Sequence, residues 1–161
     1  MDCEAGAWSI VRSQNVGANN SRLQGGAAVG ANDIWAVGYY RISTERLPLI
    51  LRWNGSQWSV VPNPGGAGGQ LLAVTALAAN NVWAVGTLGY SQPLTLHWDG
   101  SAWSVVASPT PGGGVSLAGV AATGAGDVWA VGEYYNPLFT DLELTVTEHW
   151  NGSQWDLAPS P

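Results

Sequence analysis

Three short runs place an aromatic ring beside a polar side chain: Arg52-Trp53, His97-Trp98 and Glu148-His149-Trp150. An indole face can stack on the apolar face of a pyranose, while a neighbouring guanidinium, imidazole or carboxylate hydrogen-bonds the sugar hydroxyls. These seven residues are the candidates for carbohydrate recognition. Only the third run brings a carboxylate; the matching positions are Leu51 and Leu96. A second group comprises Tyr39, Tyr40, Arg41, Tyr90, Glu133, Tyr134, Tyr135 and Phe139. It concentrates tyrosine and charge in segments of variable length, which is the composition of a contact surface for a ligand or protein partner.

Catalysis is not expected. His97 and His149 fall at equivalent places, which suits a structural role better than a unique acid or base. There is no phosphate-binding loop, zinc-ligand spacing or nucleophile elbow. Asp141 and Glu143, with Asn136, are two carboxylates on one segment, too few oxygens to specify a calcium site. The reading is therefore no catalytic residue, no metal and no cofactor. Cys3 is the sole cysteine, which excludes an internal disulfide framework and leaves a free thiol or a link to another chain.

Composition narrows the partners. Among 161 residues, 10% are charged and the net charge is −6, with five arginines and no lysine. Such a chain lacks the electrostatic footprint for nucleic acid or an anionic membrane. No apolar run approaches the roughly 18–20 residues that span a bilayer. The N-terminus lacks the basic and apolar regions of a signal peptide, so the expectation is that any such signal is absent or already removed. Asn19-Asn20-Ser21, Asn54-Gly55-Ser56 and Asn151-Gly152-Ser153 match the glycosylation pattern, two of them at expected turns.

The elements that must position these groups emerge from the ten tryptophans, which form three series. Trp8, Trp58, Trp103 and Trp155 are one, Trp35, Trp83 and Trp129 the second, and Trp53, Trp98 and Trp150 the third, all at steps of about fifty residues. Each unit reads as four short strands. The first is small and apolar (26–30, 74–79, 117–122). A polar turn expected to be of type I′ follows, at Asn32-Asp33, Asn80-Asn81 and Gly126-Asp127. The second strand is Trp-Ala-Val-Gly and the third ends in Trp. A tight Asn-Gly or Asp-Gly turn then leads to a fourth strand, which starts at Trp and closes near Pro62, Pro109 or Pro159. First and second strands are apolar on both faces, as in sheets covered on both sides.

The fold class is all-β: propeller-type blades of four antiparallel strands, three repeats plus a leading outer strand at 7–12. Residues 1–6 are a tail, and 7–161 form a single repeat domain with blade units at about 14–62, 63–107 and 108–159. The Trp-Ala-Val-Gly strands and the run Trp53-Asn54-Gly55-Ser56-Gln57-Trp58-Ser59-Val60-Val61-Pro62 resemble the blades of kelch-like bacterial β-propeller repeats. The strand-turn-Trp arrangement is also similar to that of six-bladed fucose-binding lectins, and that resemblance implies sugar sites between blades. Closed propellers have about four to eight blades, so three units leave faces uncovered, to be closed by other copies or by further blades of a longer repeat protein. The expected function is a non-enzymatic, extracellular or cell-surface module for protein interaction or self-assembly. It would close a ring or filament with other copies, a six-bladed dimer being the simplest. The alternative is a lectin with Trp-lined sites, and glycans are then the partner.

Overall fold

The computed structural model describes residues 9–17, 20–89, 91–135 and 142–159. The chain forms twelve strands in three antiparallel sheets with no helix among the described residues. The first sheet holds β1 (Ser21–Gly30), β2 (Asp33–Ile42), β3 (Glu45–Trp53) and β4 (Trp58–Val60) in that order. The second holds β5 (Gly69–Ala78), β6 (Asn81–Leu88), β7 (Gln92–Trp98) and β8 (Trp103–Val105). The third holds β9 (Val115–Gly124), β10 (Asp127–Tyr135), β11 (Glu143–Trp150) and β12 (Trp155–Ala158). The sheets stack in chain order: β1, β2 and β3 touch β5, while β5, β6 and β7 touch β9. The chain is an all-β stack of three propeller blades, with β1, β5 and β9 innermost.

Because side chains alternate across a strand, each blade contributes different residues to its two faces. Trp35, Val37 and Ile50 of the first sheet meet Leu71, Val82, Ala84, Leu94, Leu96, Trp98 and Trp103 of the second. Trp83 and Val85 from the second sheet's other face meet Val115, Leu117, Val128, Ala130, Val146 and Trp155 of the third. The middle blade is thus covered on both faces, which is why β6 is buried from Val82 to Thr87.

The glycine of Trp-Ala-Val-Gly has a steric cause. At Gly38, Gly86 and Gly132 an added Cβ would lie 1.9, 2.0 and 1.9 Å from the carbonyl oxygens of Arg22, Gln70 and Ser116. The register of the innermost strand shifts beside each of these glycines, between Leu23 and Gly25, Leu71 and Ala73, and Leu117 and Gly119. The bulge presses its backbone into the space a side chain would need.

Several expected boundaries move. The turns between first and second strands fall one residue earlier, since Gly30 pairs with Asp33, Ala78 with Asn81 and Gly124 with Asp127. They are not of type I′, because Ser43 is the single described non-glycine residue with positive φ. Each turn lies beside a register irregularity, and Asp33, Asn81 and Asp127 are held in the strand by bonds described below. The second turns are four residues long, with Trp53 opposite Trp58, Trp98 opposite Trp103 and Trp150 opposite Trp155. Asn54 Oδ1 accepts from the amides of Ser56 and Gln57, both at 3.0 Å, and Asp99 and Asn151 repeat the arrangement. The expected leading strand at 7–12 lies partly outside the described residues, and its described part, 9–12, carries no strand.

Candidate functional site: the exposed blade face and the rim

Each blade carries the same local arrangement. The residue opening its second strand bonds the polar residue just before the third strand's tryptophan, and that group lies on the second strand's indole. In the first blade Arg52 Nε and Nη2 donate to Asp33 Oδ1 and Oδ2 at 2.7 and 2.9 Å, with the guanidinium 4.8 Å from the Trp35 ring centre. In the second, His97 Nε2 is 3.1 Å from Asn81 Oδ1 and its ring is 4.4 Å from Trp83. In the third, His149 Nε2 is 2.8 Å from Asp127 Oδ1 and its ring is 4.5 Å from Trp129. The cross-strand pairing fixes this: Trp35 is opposite Arg52, Trp83 opposite His97 and Trp129 opposite His149. Burial pushes the His97 imidazole below its usual value, against a smaller opposing effect of Asp99. Bonds from the Thr123 hydroxyl and then His149 hold the Asp127 carboxyl low.

Two of these arrangements are capped by the next blade. Trp98 and Trp103 lie 5.2 and 5.4 Å from Trp35, the second edge-on at 85°. Trp150 and Trp155 lie 4.9 and 5.3 Å from Trp83, the second edge-on at 88°. The third arrangement has no cap among the described residues. Trp35 and Trp83 are 0% and 2% exposed, whereas Trp129 is 42% exposed, and Val131 and Tyr135 on the same strand face are 46% and 45% exposed. The capping pairs share one geometry: Trp98 and Trp103 are 5.9 Å apart at 47°, Trp150 and Trp155 6.0 Å apart at 54°. A third pair of that geometry stands on the far side of the first blade, where Trp53 and Trp58 are 5.8 Å apart at 49°. It caps no indole among the described residues. Residues 9–17 run beside it: Val16 packs on Ala36, Leu49 and Leu51, and Ser9 and Val11 line a cleft with Ile34, Trp53 and Trp58.

The residues singled out for sugar recognition are distributed through these layers. Arg52, His97 and Trp98 lie in closed inter-blade contacts, and the indole N–H groups of Trp98 and Trp150 donate to the carbonyls of Ala79 and Ala125 at 3.0 and 3.2 Å. Glu148 is 0% exposed; its Oε2 accepts from the Ser108 hydroxyl and its Oε1 has no partner among the described residues. Burial pushes its carboxyl up to about 7. Trp53 and His149 flank the two unpaired faces.

The rim candidates do not form one surface. Tyr39, Tyr40 and Arg41 extend β2, and Glu133, Tyr134 and Tyr135 extend β10, where loops were expected. Tyr39 is buried beneath the Arg46 guanidinium, 5.1 Å from its ring, and Arg46 Nη1 donates to Gln70 Oε1 at 2.9 Å. Tyr40 faces the other way, onto Ala36, Leu49 and Leu51. Tyr134 packs on the layer between second and third blades. Tyr135 donates from its hydroxyl to Glu143 Oε1 at 3.0 Å, a bond that raises the phenol's pKa. Tyr90, Phe139, Asn136 and Asp141 lie outside the described residues. The sequence places Asp33, Asn81 and Asp127 in turns and Trp129 in a tryptophan series, but their part in this stacked arrangement went unread. Their signal was there, in a polar residue two positions before each Trp-Ala-Val-Gly tryptophan.

No family model matches the chain, and no curated protein matches it. Among solved structures it is similar to "YCF48 bound to D1 peptide", a β-propeller, with a TM-score of 0.59 and 16% identity over 87% of this chain. The chain spans 41% of that protein's length. This likeness supports the propeller-like fold read from the three sheets.

Proposed function

We propose that the chain is a non-enzymatic β-propeller module for protein interaction that completes its ring with a second copy of itself. The observation that carries this reading is the match between two unpaired faces. One presents Trp129 stacked on His149, and the other presents Trp53 and Trp58 in the geometry of the pairs that cap Trp35 and Trp83. Docking the first blade of one copy on the third blade of another repeats a contact the chain already makes twice. Two such contacts related by a twofold axis close a six-bladed ring. The partner's β12 then takes the place beside the first blade now held by residues 9–12, which form no strand and leave Ile10 99% exposed. The similar YCF48 structure, solved with a peptide, favours protein recognition by the assembled module. The reading keeps the extracellular or cell-surface setting expected from the sequence.

Light scattering on the purified protein tests it. The expected mass is about twice 16.8 kDa, falling to the single chain in Trp129→Ser, with unchanged circular dichroism showing that the fold is kept. A wild-type protein that stays monomeric at high concentration would sink the reading. The lectin alternative has the same open ring available. Saturable monosaccharide binding by a monomer, lost in Trp129→Ser, would put it in place of self-assembly.

A further inference from the structure

Three of the five arginines converge at one end of the contact between first and second blades. Arg41 of β2 is directly opposite Arg46 of β3, and Arg22 of β1 is opposite Tyr39, one diagonal step from Arg41. Residues opposite one another share a face, so all three stems leave the side of the sheet that carries Trp35 and Val37. Like charges directly across a strand pair are unfavourable, and nothing in the packing requires them here. Arg46 has partners, the Tyr39 ring and Gln70. The guanidinium groups of Arg22 and Arg41 have no acidic or carbonyl partner among the described residues. Beside them is a cleft of about 240 Å³ lined by Arg41, Thr44, Glu45, Arg46, Gly68 and Gly89.

We propose that this cleft binds an acidic peptide segment, with Arg22, Arg41 and Arg46 receiving its carboxylates. Guanidinium groups pair with carboxylates through two parallel N–H bonds, and Arg22 and Arg41 have donors to spare. The surroundings select a short acidic segment over a polyanion. Glu45 lines the cleft itself, Glu133 and Glu143 stand at the corresponding end of the third blade, and the whole chain carries −6. A long phosphate backbone crossing the rim would meet those charges, whereas a few side-chain carboxylates would not. The cleft lies within one chain, so binding does not depend on whether copies assemble.

The test is fluorescence anisotropy with a labelled hexaglutamate peptide, a hexaglutamine peptide of the same length, and inorganic phosphate as competitor. Hexaglutamate should bind saturably, one per chain, more weakly as salt rises, and with hexaglutamine at least tenfold weaker. Arg22→Gln/Arg41→Gln should weaken hexaglutamate binding at least tenfold with unchanged circular dichroism. Arg12→Gln, which lies off the cleft, should leave it within twofold. Equal binding by the double variant, equal binding of the two peptides, no binding at all, or full displacement by millimolar phosphate would each overturn the proposal. None of these outcomes depends on the mass measured for the unliganded protein, so this site and the ring closure stand or fall separately.

Discussion

Glu148 occupies the place of Leu51 and Leu96 in the other blades, and it is fully buried against the second blade with one carboxyl oxygen unpartnered among the described residues. An ionised carboxylate in an apolar layer is disfavoured, so its pKa is raised from an ordinary 4.5 to about 7. Between these two values the unfolded chain has lost the proton that the folded chain retains. Stability therefore falls as pH rises through that window, by roughly 3 kcal/mol for a shift of this size. His97 works in the opposite sense. Its lowered pKa makes the folded state prefer the neutral ring, so stability is lost as pH falls below the ordinary 6.5. Glu148→Leu should isolate the histidine: urea unfolding of the variant should show stability level or rising from pH 5 to 7, where the wild type declines. If the two proteins keep parallel profiles, Glu148 does not titrate in the layer. The substitution of Leu by Glu was legible from the repeat alignment. Its burial was not, because alternation assigns a face but does not say which neighbour closes over it.

At the scale of the element, the steps between tryptophans were enough to place twelve strands, since each series marks a fixed station in its blade. Turn geometry was less legible. Asn54-Gly55 signals a two-residue hairpin, yet Asn54 Oδ1 gathers the amides and hydroxyl that follow, so four residues lie between Trp53 and Trp58. Asp33, Asn81 and Asp127 look like turn residues by type. Their bonds to Arg52, His97 and His149 draw them into the strand instead. The Trp-Ala-Val-Gly glycine was visible as a motif, while its cause, a bulge of the neighbouring strand, lies some fifteen residues away in sequence. Gly86→Ala should therefore cost about 3 kcal/mol or more, because the new methyl group meets backbone on an inner strand that cannot retreat. Gly30→Ala, with nothing within 4 Å of the added carbon and no positive φ, should stay within about 1 kcal/mol of wild type. Thermal melts of the two variants check this, and equal melting temperatures would contradict the steric account.

At the scale of the whole molecule, a three-blade stack has two different ends, and the proposed self-association has to use them in one of two ways. A contact between unlike surfaces runs head to tail, so each chain contributes Trp129 to one interface and Trp53 with Trp58 to the other. A contact between like surfaces would use one end twice. Trp129→Ala and Trp53→Ala distinguish these arrangements. In the head-to-tail ring each variant alone has both of its interfaces damaged, and each should sediment as a monomer. Mixed together, the intact Trp129 face of one meets the intact Trp53 and Trp58 pair of the other, so one undamaged interface returns. Sedimentation velocity of the equimolar mixture should then show a dimer absent from either variant alone, weaker than the wild-type dimer because the second interface stays damaged. In a like-to-like dimer, mixing restores no undamaged interface, and one of the two variants would dimerise normally on its own. The three-fold repeat made the open face of the third blade predictable from sequence, whereas the outer face of the first blade carries Val16 on Ala36, Leu49 and Leu51. The shared ring geometry was not legible in the sequence: Trp53 and Trp58 hold the spacing and tilt of the pairs that cap Trp35 and Trp83, a relation set by packing and not by sequence spacing.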